Sequence, residues 1–202
     1  MTTRNPIEAT PRSLRIAALV LPLLLLLGLL AWQRPDPAAG VLVDGLVQLG
    51  GERVDRRAPD FELPGLDGTS RRLADHAGHL IFLNFWASWC EPCREEMPAM
   101  VNLARTLQRR PFAMVAVSLD EDPQALRDFL VQEGIDPTSM VILHDPEGRS
   151  AREYGTELLP ETWLITPRGR VFARFQGALP WDDPSVIRFM ERLMRAWQPP
   201  AP

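Results

Sequence analysis

Cys90-Glu91-Pro92-Cys93 follows directly on the apolar run Leu80-Ile81-Phe82-Leu83-Asn84-Phe85-Trp86-Ala87 and leads directly into a stretch of helical periodicity; these two cysteines are the only ones in the chain. A run apolar at nearly every position is a central strand covered on both faces, so the surrounding chain has to supply layers of structure on each side of a sheet. The cysteine pair then sits where that strand hands over to a helix. A helix start offers unpaired N–H groups and the positive end of its dipole, and both favour a thiolate. C-x-x-C at such a junction is the layout of a dithiol/disulfide redox centre.

The chain of 202 residues has room for one ordinary domain and some extras. Its formal charge of −4 is small and mixed in sign, and with no dense basic block after the N-terminal segment nothing suggests nucleic acid as a partner. All basic side chains are arginine, which carries no functional reading.

Residues 16–31 contain no charge and continue into Trp32, an interface-type residue. The run is near the short limit of about 17 residues for a spanning helix. Arg4, Arg12 and Arg15 precede it, while Arg34 is soon answered by Asp36 and Asp44, which orients the N-terminus toward the cytoplasm and the rest outside. A cleaved signal peptide and an uncleaved anchor both fit. The anchor fits better, because the run is longer than a usual signal core and Pro37-Ala38-Ala39-Gly40 is a weak cleavage site. The expected organisation is a cytoplasmic N-terminus and transmembrane signal-anchor over 1–33, a linker over 34–57 and one domain over 58–198. Export gives the cysteines a setting in which disulfides persist and a reducing dithiol needs a dedicated donor.

Within the domain, Asp60-Phe61-Glu62-Leu63 alternates polar and apolar, and the turn signals Pro64-Gly65 and Asp67-Gly68 predict an N-terminal β-hairpin ending near Leu73. Leu80 to Trp86 is the central strand. Met97, Met100, Val101, Ala104 and Leu107 then mark one face of a helix to about Arg109, interrupted by Pro98. Phe112 to Leu119 reads as a second buried strand. Asp122-Pro123 has N-cap and first-turn chemistry for a helix burying Ala125, Leu126, Phe129 and Leu130 and stopping at Gly134. Met140–Leu143 and Ser150–Tyr154 add a strand and a short helix, completing a central helical insertion. Glu161–Ile165 and Arg170–Phe175 form a hairpin, and a last helix from Asp183-Pro184 buries Val186, Ile187, Met190, Leu193, Met194 and Trp197. The pattern is a three-layer α/β/α sandwich.

Three stretches carry a resemblance. Asn84-Phe85-Trp86-Ala87-Ser88-Trp89-Cys90-Glu91-Pro92-Cys93-Arg94-Glu95-Glu96-Met97-Pro98 resembles the active-site stretch of the TlpA/ResA/CcmG branch of the thioredoxin superfamily. Ala58-Pro59-Asp60-Phe61-Glu62-Leu63 resembles that branch's domain opening, and Leu159-Pro160-Glu161-Thr162-Trp163-Leu164-Ile165 its cis-proline strand. The resemblance covers roughly residues 58 to 198 and implies a thioredoxin-like fold and thiol:disulfide exchange.

Cys90, nearest the helix start, is then the attacking thiolate and Cys93 the buried resolving thiol. Glu96 lies one turn beyond Cys93 on the same face, and the resemblance gives it the role of acid/base beside that thiol. The plainer account is a first-turn glutamate that only favours the helix dipole. In ordinary thioredoxins a buried aspartate stands at the strand position of Asn84, which cannot titrate. The Glu91 carboxylate beside Cys90 opposes the dipole, and Pro92 fixes the helix start, so the centre reads as a reductant rather than a strong oxidant. Pro160 is implied to be cis and to face the cysteines, with Leu159 offering backbone groups to an extended substrate and Trp89 an apolar contact. Trp86 and Trp163 read as core.

Metal binding is the main rival chemistry, but His76, His79 and His144 make no known ligand spacing with the cysteines, and no cofactor is implied. A peroxidase of the peroxiredoxin type wants a hydroxyl residue and a proline where Ala87 and Leu83 stand. The expected partners are protein disulfides: the haem-attachment cysteines of apocytochromes c, or copper-site cysteines during respiratory oxidase assembly. A membrane thiol-reductant carrier is the implied donor. A copper-binding chaperone using the thiols as soft ligands is the alternative of a different class.

Overall fold

The computed structural model describes residues 45–197. The expected anchor over 1–33 and the first part of the linker lie outside the described residues; among these, no helix is long and apolar enough to cross a membrane. In chain order the elements are β1 (Glu52–Arg57), β2 (Glu62–Pro64), β3 (Ser70–Arg72), β4 (Leu80–Trp86), α1 (Glu91–Leu107), β5 (Phe112–Ser118), α2 (Pro123–Gln132), β6 (Val141–His144), α3 (Arg149–Tyr154), β7 (Glu161–Ile165), β8 (Arg170–Gln176) and α4 (Pro184–Trp197). Short 3-10 turns follow β3 and precede β6.

Six strands form one sheet in the order β1-β8-β7-β4-β5-β6, and β2 pairs with β3 in a separate hairpin. β4, β5 and β6 run parallel, while β7, β8 and β1 are each antiparallel to their neighbour. β4 is buried at every residue. Its alternation splits the core: Leu80, Phe82 and Trp86 face one cluster, Ile81, Leu83 and Phe85 the other. Both parallel crossovers run the same way across the sheet and right-handed, so α1 and α2 share the first cluster, joined there by α4. The opposite face is covered more thinly, by α3, the 3-10 turn at Leu73–His76 and the hairpin segment. The architecture is thus α/β with helices flanking a mixed sheet, one outer layer deeper than the other.

Three details differ from the sequence reading. The sheet begins at Glu52 rather than near Ala58: β1 pairs with β8, and Leu46, in a helical turn at residues 45–48, is buried in the main core. Ala125 is exposed, because α2 buries only Leu126, Phe129 and Leu130. Along α4, Phe189 joins the core while Ile187 and Trp197 are only half-buried.

Candidate active site

The loop from Trp86 to Cys90 emerges at the C-terminal end of the parallel strands β4 and β5. Cys90 is the N-cap of α1 and its Sγ accepts from the Cys93 N–H at 3.3 Å, with Pro92 in the first helical turn. The two cysteines are joined in a disulfide with Cα atoms 5.3 Å apart. Cys90 is 6% exposed and Cys93 wholly buried, so an incoming sulfur or thiolate reaches the pair through Cys90. Around it Glu91 and Pro92 are exposed, and Trp89 stands 68% exposed. Trp86 and Trp163 are core residues, as expected.

Antiparallel pairing of β7 with β4 sets Glu161 opposite Phe85, which brings Pro160 level with the end of β4. The Leu159-Pro160 peptide is cis. Pro160 is buried and its carbonyl accepts from the Gly177 N–H at 2.9 Å; Leu159 is half-buried and Leu158 exposed. The structure therefore gathers Trp89, Glu91, Pro92, Leu159 and Pro160 on elements that meet at this end of the sheet.

Beneath them Glu96 is 3% exposed, on the same buried face of α1 as Cys93. Three donors converge on it: Asn84 Nδ2 at 3.0 Å, Trp181 Nε1 at 2.8 Å and the Leu179 N–H at 3.3 Å. Burial pushes the Glu96 carboxyl up to about 7, and the three hydrogen bonds, each favouring the carboxylate, only partly offset it. A carboxyl balanced near neutrality can take up or release a proton without a large change in pH. Asn84 Nδ2 donates also to Thr162 Oγ1 at 3.0 Å, its register partner on β7.

A second buried carboxylate fastens the loop before Cys90. Asp120, 1% exposed, accepts from the Ser88 N–H at 3.1 Å, from Ser88 Oγ at 2.6 Å and from Ser118 Oγ at 2.7 Å. His144 Nε2 meets the Asp120 carbonyl at 2.7 Å, tying β6 to the same point. His76 is half-buried, its imidazole pushed down by burial, and His79 is exposed. Among the described residues no group of three His, Cys, Asp or Glu side chains stands ready for a metal.

Residues 54–174 match the AhpC/TSA family. The chain belongs to the AhpC/TSA family. Within this family it is 35% identical over 130 residues to the thiol-disulfide oxidoreductase ResA of Geobacillus thermodenitrificans, covering 64% of this chain and 73% of that one. Against ResA of Bacillus subtilis the identity is 31% over 144 residues, 70% of this chain and 79% of the relative. A crystal structure from Chlorobium tepidum, described as a thiol:disulfide interchange protein DsbE, superposes with a TM-score of 0.61 at 33% identity, over 71% of this chain and 97% of that one. The cysteine pair of this AhpC/TSA member is accordingly that of a thiol-disulfide oxidoreductase of ResA type.

Sequence reasoning missed Trp181, Leu179 and Asp120. Trp181 lies 85 positions from Glu96 in the stretch between β8 and α4; its one signal is a tryptophan in a loop, which is worth burying only where its N–H finds an acceptor.

Proposed function

We propose that this protein is a membrane-anchored, extracytoplasmic reductant that opens disulfides at the haem-attachment sites of apocytochromes c. The buried Glu96, poised near neutrality on the Cys93 face of α1, carries the reading. In the reduced protein the Cys90 thiolate attacks one sulfur of the substrate disulfide, forming a mixed disulfide and expelling the first substrate thiolate. Cys93 gives its proton to the Glu96 carboxylate, and its thiolate attacks the Cys90 sulfur. The second substrate thiolate leaves, two electrons have passed to the substrate, and the Cys90–Cys93 disulfide remains. A membrane thiol-reductant carrier returns two electrons. Trp89, Glu91, Pro92, Leu159 and Pro160 form the docking surface, with Leu159 pairing through its backbone to an extended substrate.

Support comes from the ResA and DsbE relatives, from the acidic Glu91 beside Cys90 and from the uncharged run at residues 16–31. The deciding experiment is the equilibrium reduction potential of the full-length chain, followed by trapping of the Cys93→Ser variant on a C-x-x-C-H peptide disulfide. A potential near or below about −270 mV with a trapped peptide fits the proposal; one near about −120 mV makes the protein an oxidant and overturns it. Reaction only with a copper-site disulfide moves the substrate to oxidase assembly, and stoichiometric Cu(I) binding without exchange replaces the enzyme with a metal carrier. Recovery of the chain in the soluble fraction, with a mature N-terminus near Gly40, removes the anchor.

A further inference from the structure

Asn84 is the one polar residue on a strand that is otherwise wholly apolar and buried. Its amide is used unevenly. Both hydrogens of Nδ2 are spent, on Glu96 Oε1 and on Thr162 Oγ1, while Oδ1 is buried and has no hydrogen-bond partner. This arrangement suits an ionised Glu96, which accepts from Asn84, Trp181 and Leu179 together. A protonated Glu96 has an O–H to place, and every group touching it is a donor; in a buried site an unplaced proton is costly.

An asparagine can reverse its face. Half a turn about Cβ–Cγ exchanges Oδ1 for Nδ2 with almost no change of shape, and the oxygen then accepts from the Glu96 O–H. The Thr162 hydroxyl serves both settings, accepting from Nδ2 in one and donating to Oδ1 in the other. The count of hydrogen bonds is the same before and after, and in each setting one end of the amide goes without a partner. We propose that Asn84 is a positioning residue that turns its amide as Glu96 gains or loses its proton, keeping the carboxyl in place through both halves of the catalytic cycle. The inference rests on Glu96 as the proton acceptor of the proposed function.

Among the described residues no other titrating group acts on Glu96. β4 brings Asn84, β7 brings Thr162, the segment after β8 brings Leu179 and Trp181, and α1 brings the two cysteines, which do not titrate while joined. Glu161 neighbours Thr162 but alternates to the opposite face, where its Oε1 accepts from Gln176 and lies 3.8 Å from Arg174.

The test is side-chain NMR of the full-length chain in its disulfide form, following the Asn84 amide pair and the Glu96 carboxyl carbon across pH. The expected result is one transition of the amide pair with the same midpoint as the carboxyl. In Glu96→Gln, whose amide donates as a protonated carboxyl does, the Asn84 pair stays at its low-pH position at every pH. An amide pair that stays fixed while Glu96 titrates overturns the proposal, as does a transition that persists in Glu96→Gln. The thiol-exchange rate of the same variant tests the reading beneath it separately: an unchanged rate removes Glu96 as proton acceptor and leaves the amide turn standing.

Discussion

Two buried carboxylates flank the redox loop, and neither has a cationic partner among its hydrogen bonds. Glu96 sits on the buried face of α1, held by an indole, a side-chain amide and a backbone N–H drawn from two separate segments, β4 and the stretch after β8. Asp120 sits at the end of β5, held by the backbone and hydroxyl of the loop it braces and by Ser118 two residues away. Glu96 lies against the aromatic packing of Trp181 on Phe82 and Phe175, so its charged form is poorly solvated. Asp120 spends its oxygens on fixing Ser88, two residues ahead of Cys90. The contrast separates two uses of a buried acid: one that can exchange a proton, and one whose oxygens are given to holding a loop.

The largest test of this contrast is the pH dependence of stability. Because the folded Glu96 titrates near 7 against an ordinary 4.5, the native state binds more protons than the unfolded chain between these values. Its contribution is present in full below about 4.5 and is lost as pH rises through about 7. Denaturant titrations of the disulfide form should show a loss of about 3 kcal/mol across that window, absent in Glu96→Gln. In stopped-flow exchange at neutral pH, Glu96→Gln should slow resolution of the mixed disulfide on the order of 10²-fold, leaving alkylation of Cys90 unchanged. If it slows both equally, Glu96 acts on the site as a whole.

Asp120→Ala should cost about 2 kcal/mol in denaturant titrations, since it strands the half-buried Ser88 N–H, and Asp120→Asn should recover most of it. A cost below about 0.5 kcal/mol would remove Asp120 as the brace of the loop. Trp181→Phe removes one of the bonds that favour the Glu96 carboxylate, so the midpoint of the stability transition should move above about 7, at a cost of about 1.5 kcal/mol above it. Smallest is Trp89→Ala, expected to change stability by less than about 0.5 kcal/mol because the ring is mostly exposed, while weakening mixed-disulfide capture of the peptide.

The parts of this molecule governed by local pattern were legible in its sequence. The apolar run of β4, the C-x-x-C at a helix start and the Asp122 cap of α2 are each decided by neighbours in the chain. β1 was not legible: Glu-Arg-Val-Asp-Arg-Arg offers almost no apolar alternation, and it is a strand because β8 needs a partner at its edge. At the site, the cysteines and Glu96 were readable from helical spacing. The donors that hold Glu96 were not, because Trp181 and Leu179 reach it only through tertiary packing. Phe189 falls on the buried stripe of α4, three residues after Val186 and four before Leu193, and its ring packs against Gly45, a contact that only the tertiary fold supplies.

The charged strand at one margin of the sheet has a consequence for crowding. Open edges invite a second molecule to extend the ladder. Here the margin at β1 exposes Glu52, Arg53, Asp55 and Arg57, and the margin at β6 is met by the hairpin, where Gly65 bridges to Leu143. Neither side presents a bare apolar ribbon, so copies packed side by side at high local density keep their sheets apart, and each redox face stays free to meet a substrate.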